Sequence, residues 1–128
     1  MDAAQLKRIP LFADASDEEL KRVALFADAR EIPEGEVVIE EGSYSRELLA
    51  IEDGKAEVTR NGKRIATLGP GDIFGEAGML SDEMRSATVT AKTRLKVISL
   101  RHFEVKRLQK DAPDVYARIE KLVEERSG

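Results

Sequence analysis

The residues best suited to chemistry lie in one stretch, residues 70–91. Phe74, Gly75 and Glu76 follow a Pro-Gly-Asp turn, and Arg85 opens a strand-like run. Gly75 has no Cβ, so the backbone there can approach a ligand closely. Arg85 carries a planar guanidinium that stays charged and matches a phosphate. The short apolar segment between them is suited to one or two helical turns, whose free N–H groups attract an anion. The pattern predicts a cradle for a small anion.

Glu76 narrows the chemistry of that anion. Its carboxylate repels a phosphate, unless it accepts a hydrogen bond from a hydroxyl of the same ligand, as a ribose provides. Ser86 adds a hydroxyl and a backbone N–H beside Arg85. The pair Glu76 and Arg85 therefore predicts a ligand in which a sugar hydroxyl and a phosphate lie close together.

This stretch resembles the phosphate-binding cassette of the cyclic nucleotide-binding domain family. The family has Phe-Gly-Glu, a few apolar residues, and then Arg-(Ser/Ala/Thr)-Ala-(Thr/Trp)-Val; both motifs stand here at that spacing. The resemblance covers about residues 9–123. It departs at Met84, where many members have Pro, and at Ala77, where Leu or Ile is usual. It implies that the nucleotide-binding residues are Phe74, Gly75, Glu76, Ala77, Arg85, Ser86, Ala87 and Val89.

The same resemblance implies cAMP as the ligand, with cGMP as the alternative. Ser86 stands where the residue type tunes adenine against guanine; Thr would favour guanine, and Ser leans towards cAMP. In the family a C-terminal helix often covers the base, which makes Tyr116 and Ile119 candidates, although an aromatic residue at helical spacing is more often part of a core. Val89 is a further candidate for an apolar contact with the base.

Two other interpretations of the site remain open. Arg85 and Glu76 would form an internal ion pair in a degenerate domain that kept the fold and lost the ligand. An enzyme is disfavoured, because there is no Cys nucleophile, no Ser in a nucleophile elbow and no Walker A lysine. His102 is the single histidine, so a metal-dependent cupin-like barrel is disfavoured too. We expect no catalytic residue, no metal site and no cofactor besides the nucleotide.

Composition sets outer bounds on the class of protein. The chain has 128 residues, of which 36% are charged and 41% hydrophobic, as expected for one globular domain. It has no cysteine, which suits a reducing compartment. No apolar run approaches membrane-spanning length, and no signal peptide is evident. The net charge of −4 argues against nucleic acid as a partner. We expect a cytoplasmic protein with no membrane contact.

Helices are predicted at both ends. Ser16 and Glu19 match a capping box, which predicts a helix from about Asp17 to Ala27. We expect it to pack on the core; a role in a homodimer is the alternative. Near the C-terminus we expect one helix over about 101–109 and a second after Asp111 as N-cap.

Short strands separated by turns occupy the middle of the chain. Asn61-Gly62 is the strongest hairpin signal. The spacing favours an antiparallel sandwich or barrel, and with the resemblance this becomes a mainly β fold with flanking helices: an eight-stranded antiparallel β-roll, a double-stranded β-helix of the jelly-roll type. We expect one domain over 1–128, with N-terminal helices to about 28, the β-roll over about 29–100 and two C-terminal helices over about 101–126.

The resulting functional hypothesis is a cyclic nucleotide sensor. Binding would reorder the cassette and move the C-terminal helices, which would regulate an effector protein in trans or an effector domain missing from this chain. The Met1 start mildly favours a complete small protein. The alternative is a degenerate β-roll that serves as a structural or protein-interaction domain.

Overall fold

The computed structural model describes residues 3–42, 47–74 and 87–127. Helix α1 (Ala3–Lys7), a 3-10 turn (Pro10–Phe12) and α2 (Asp17–Ala24) precede the strands, and α3 (His102–Asp111) and α4 (Pro113–Ser127) follow them. The strands are β1 (Asp28–Ile32), β2 (Val37–Ile39), β3 (Glu47–Asp53), β4 (Ala56–Arg60), β5 (Lys63–Leu68), β6 (Ile73–Phe74), β7 (Thr88–Ala91) and β8 (Leu95–Arg101).

The strands form two antiparallel sheets. In the first sheet the order is β1-β8-β3-β6, and in the second it is β2-β7-β4-β5. Apart from β4 and β5, neighbouring strands in each sheet are not consecutive in sequence, as in a roll whose chain passes repeatedly between two sheets. The predicted class, mainly β with eight strands and helices at both ends, is confirmed.

The first sheet is buried on both faces. Along β3, Leu48 and Ala50 face the helices, whereas Leu49 and Ile51 face the second sheet. Side chains of a strand alternate between its two faces, so a strand covered on both sides becomes a continuous apolar run. The side chains between the sheets form the interior cluster: Ile32, Ile39, Leu49, Ile51, Ala56, Phe74, Val89, Ala91, Leu95 and Val97.

The cap predicted for α2 is present. Glu19 donates its backbone N–H to Ser16 Oγ over 3.1 Å. The helix ends at Ala24 instead of Ala27. Leu25 and Phe26 donate to the carbonyls three residues before them, so the last turn tightens and the chain turns towards β1. Leu25 is left 87% exposed.

The C-terminal helices follow β8 directly. The Arg101 N–H at the start of α3 donates to Glu104 Oε1 over 2.8 Å. The prediction of Asp111 as the N-cap of the last helix is wrong. Asp111 is the final residue of α3, and the carbonyl of the next residue, Ala112, accepts the N–H of Tyr116. Pro113 opens α4, a position where its missing N–H costs no hydrogen bond.

Candidate functional site

The described residues include both ends of the predicted cassette but not its centre. Phe74, Ala87 and Val89 are described. The other predicted contact residues lie outside the described residues: Gly75, Glu76, Ala77, Arg85 and Ser86. The described residues show how the fold holds the two ends of this segment.

Phe74 ends β6 in the first sheet. It lies opposite Leu49 of β3, and its side chain is buried in the interior cluster. The turn before β6 is closed by Gly69, which donates its N–H to Asp72 Oδ2 over 2.8 Å. Ile51 of β3 donates to the carbonyl of Asp72 and accepts the N–H of Gly71. The segment thus starts from a turn that is clamped to a central strand.

Gly71 lets the N-terminal helices approach this turn. Its φ is +96°, a conformation that residues with a Cβ rarely adopt. A Cβ added there would lie 3.2 Å from Pro10 Cγ of the 3-10 turn. The turn before the cassette is therefore in close contact with the N-terminal helical segment.

Val89 lies on the second sheet, near the other end of the segment. On β7 it pairs with Val58 of β4 and with Ile39 of β2, and its side chain is buried in the interior cluster. Ala87, just before β7, is half-buried. Phe74 and Val89, two of the residues predicted for the nucleotide site, therefore belong to one interior cluster.

A set of hydrogen bonds at the start of β7 was not anticipated. Glu41 donates its backbone N–H to Thr88 Oγ1 over 3.0 Å. The carboxylate of Glu41 accepts the N–H of Asn61 over 3.1 Å. Asn61 is the first residue of the predicted hairpin turn, which the structure confirms with φ values of 52° there and 80° at Gly62. In the sequence, the sign of these hydrogen bonds is Thr88, a residue with a hydroxyl group directly after Arg-Ser-Ala.

The candidates for covering the base lie elsewhere. Ile119 is fully buried in the cluster between the helices and the first sheet, and Tyr116 packs against the same cluster. That cluster is on the opposite side of the first sheet from Phe74 and Val89. In this structure both residues are part of the helical core and do not face the interior of the roll.

In the described part of the chain one carboxyl has a shifted pKa, that of Glu31 on β1. Arg94 donates a hydrogen bond to the Glu31 carboxylate, and this bond together with its positive charge lowers the pKa of Glu31. Both side chains lie on the exposed surface beside β1 and β8. Within the described ranges no group of three or more His, Cys, Asp or Glu side chains is arranged to hold a metal. No helix there is long and apolar enough to cross a membrane.

The two four-stranded sheets, with one end of the cassette on each, define a β-roll domain. The family model of the cyclic nucleotide-binding domain matches residues 29–111, which include the whole segment between β6 and β7. The chain belongs to the cyclic nucleotide-binding domain family. The family is a regulatory binding domain and not a catalytic one.

Known proteins agree with this assignment. The chain is 40% identical over 97 residues to a cAMP-dependent protein kinase regulatory subunit of Yarrowia lipolytica, covering 74% of this chain and 26% of that protein. It superposes on cAMP-bound PfPKA-R with a TM-score of 0.78 and 27% identity, over 98% of this chain and 46% of that one. The catabolite activator protein of Thermus thermophilus gives a TM-score of 0.81 and 27% identity, over 91% and 57%.

The chain spans 26% and 20% of the lengths of two kinase regulatory subunits that it matches.

Proposed function

We propose that this chain is a cyclic nucleotide sensor that prefers cAMP to cGMP. The observation that carries the proposal is the family match over residues 29–111, which spans the uninterrupted Phe-Gly-Glu to Arg-Ser-Ala-Thr-Val segment. Arg85 binds the cyclic phosphate, and Glu76 accepts a hydrogen bond from the ribose hydroxyl. Gly75, Ala77 and Ser86 bring backbone groups close to the ligand.

The apolar ends of the cassette support this assignment. Phe74 and Val89 are 3% and 5% exposed, respectively, within one interior cluster. A cluster that joins both ends gives the phosphate-binding segment a rigid base on each sheet, which lowers the entropy lost when a ligand binds. Ala87 and Val89 contribute apolar surface next to the nucleotide.

Binding is coupled to the C-terminal helices. Helix α3 follows directly from β8, an interior strand of the first sheet, so a change in the roll reaches the helix without an intervening linker. In this structure α3 and α4 are docked on the N-terminal helices. Arg22 donates to the carbonyl of Asp111 over 3.1 Å, and Arg118 pairs with Asp14 at 3.0 Å. A ligand that favours another arrangement shifts the population of these contacts.

The moving helices regulate an effector, either a separate protein or a further domain of the same polypeptide. The kinase regulatory subunit among the relatives supports an effector protein as the partner. We place the protein in the cytoplasm and treat residues 1–128 as one domain. Self-association through the helices is a further proposal that a solution mass measurement would test.

Arg85→Ala tests the assignment of the phosphate contact. We expect cAMP affinity to fall by at least about 100-fold, because a charge-assisted contact to the phosphate is lost. Isothermal titration calorimetry would measure the affinity, and urea denaturation the free energy of unfolding. The unfolding free energy should stay within about 0.5 kcal/mol of the parent value.

Arg30→Ala is the matched control. Arg30 is an exposed arginine on β1 and pairs with Glu47 at 2.6 Å. Its replacement by Ala therefore also removes one charged contact. It lies on the first sheet, at the strand farthest from β6. We expect unchanged cAMP affinity. Equal affinity of the Arg85→Ala and Arg30→Ala variants would contradict the proposed site.

A further inference from the structure

Three segments meet at one end of the second sheet. They are the turn after β2 with Glu41, the start of β7 with Thr88, and the β4–β5 hairpin tip with Asn61. This is the end at which the cassette joins β7. Thr88 is the first residue of that strand and directly follows the Arg85–Ala87 motif.

The Thr88 side chain extends the tie between β2 and β7 beyond the strand ladder. The backbone pairing of these strands ends at Ile39 with Val89. The next contact towards the cassette is the bond from the Glu41 N–H to Thr88 Oγ1, 3.0 Å long. On its other side Thr88 pairs with Thr59 of β4. A neighbouring segment therefore holds Thr88 on each side.

Glu41 joins these neighbours to each other. Its backbone N–H binds Thr88, and its carboxylate accepts the N–H of Asn61 at the tip of the β4–β5 hairpin. The hairpin in turn continues into β4, which pairs with β7. The bonds close a ring through β2, β7 and β4 around the first residue of β7.

We propose that Thr88 and Glu41 are positioning residues for the nucleotide site. This inference rests on the proposed function. They touch the end of the cassette and not the ligand, and they fix where the chain leaves the Arg-Ser-Ala motif. An anchor three residues after Arg85 limits the freedom of the chain that carries the Arg-Ser-Ala motif. Losing the anchor lowers the fraction of molecules in the binding geometry and weakens affinity by that factor.

Thr88→Val tests this directly, because it keeps the shape of the side chain and removes the oxygen. We expect cAMP affinity to fall about three- to tenfold, the range for one net hydrogen bond. Thr88→Ser keeps the oxygen and should stay within about twofold of the parent, since the bond to Glu41 can form. Calorimetric titration of cAMP into the full chain gives all three affinities.

Thr90→Val is the matched control. Thr90 lies two residues further along β7, is half-exposed like Thr88, and pairs with Glu57 and Val37. We expect the parent affinity within about twofold, and an unfolding free energy about 1 kcal/mol above that of Thr88→Val, because only Thr88→Val loses the bond to Glu41. An excess effect of Thr88→Val on affinity then belongs to the Glu41 bond and not to the change from Thr to Val in β7.

Glu41 gives an independent second pair of variants. Glu41→Gln keeps an oxygen that accepts the Asn61 N–H, whereas Glu41→Ala removes it. We expect Glu41→Ala to weaken cAMP binding about threefold and Glu41→Gln to have the parent affinity.

The outcomes separate this inference from the function on which it rests. If the parent binds cAMP and Thr88→Val binds equally well, the positioning role is wrong and the sensor proposal stands. If Thr90→Val loses as much affinity, or Thr88→Ser fails to restore it, the positioning role is also wrong. If the parent protein binds no cyclic nucleotide, the proposed function fails and the positioning role fails with it.

Discussion

At the scale of single residues, the ends of the cassette are held in different ways. Phe74 is held by burial, in a strand of two residues that depends on a closed turn. Thr88 is held by a side-chain hydrogen bond at the surface. A buried apolar contact tolerates little change in volume, whereas an exposed hydrogen bond contributes modestly to stability. Substitutions at the second end should therefore affect binding more than folding.

Glu76→Ala tests whether this carboxylate contacts the sugar. We expect cAMP affinity to fall about tenfold or more, because a hydrogen bond to a charged group is lost. The affinity for 2′-deoxy-cAMP, which lacks the hydroxyl, should change far less. Calorimetric titration of both ligands into both proteins gives the comparison.

Glu34→Ala is the control for this prediction, because Glu34 is an exposed glutamate in a turn before β2. It should leave both affinities unchanged. Equal losses of cAMP and 2′-deoxy-cAMP binding in Glu76→Ala would show that Glu76 does not contact the ribose hydroxyl.

Single residues also show where sequence reasoning succeeds. The Ser16 cap and the Asn61-Gly62 turn were predicted because each depends on bonds and backbone angles within a few residues. The Asp111 cap was predicted wrongly because an acidic residue between two helices can end one or begin the next. In the structure Asp111 ends the first of these helices, and the next residue, Ala112, is fully buried between the two.

At the scale of elements, strand identity was easier to predict than strand contacts. The hairpin signal at Asn61-Gly62 lies between β4 and β5, where the structure has the turn. The tie between Glu41 and Thr88 joins residues that are 47 positions apart. Local periodicity carries no information on which distant loop meets a given strand end, so such a bond becomes visible only in the folded chain.

The turn before β6 gives a prediction at this scale. Gly71→Ala should destabilise the fold by about 2 kcal/mol, since it combines an unfavourable positive φ with a close contact to Pro10. Gly62→Ala has a similar φ of +80° and nothing within 4 Å of the added Cβ, so it should cost about 1 kcal/mol. Urea denaturation measures both.

A double substitution isolates the contact with the N-terminal helices. Pro10→Ala removes the Cγ that the new methyl group would meet. In that background the excess cost of Gly71→Ala over Gly62→Ala should disappear. An excess that persists would mean that the backbone, and not contact with the 3-10 turn, accounts for the difference.

At the scale of the whole molecule, the first sheet separates two apolar regions. One lies between the sheets and includes Phe74 and Val89; the other lies between the sheet and the helices. Helices from both ends of the chain share the second region, and Arg107 stacks on Phe26 with its guanidinium carbon 5.4 Å from the ring centroid. β8, which continues into α3, and the turn beside Pro10 are two places where the roll meets the helical segments.

The packing of α4 against the N-terminal segment answers whether Tyr116 and Ile119 face the base or the core, which the sequence left open. Tyr116 and Ile119 were candidates for the base because helical spacing cannot distinguish a lid from a core face. Burial of Ile119 and the ion pair between Arg118 and Asp14, 104 positions apart, place this part of α4 against the N-terminal segment. Pairing between the two ends of a chain depends on the overall fold and is not encoded in a local pattern.

Calorimetric titration of cAMP and then cGMP into the parent protein, refolded from denaturant to remove any bound ligand, tests the central claim most directly. The account predicts saturable binding of one nucleotide per chain, with cAMP the tighter ligand. No heat and no rise in melting temperature with either nucleotide would contradict it. The chain would then be a member of the family that kept the β-roll and lost its ligand.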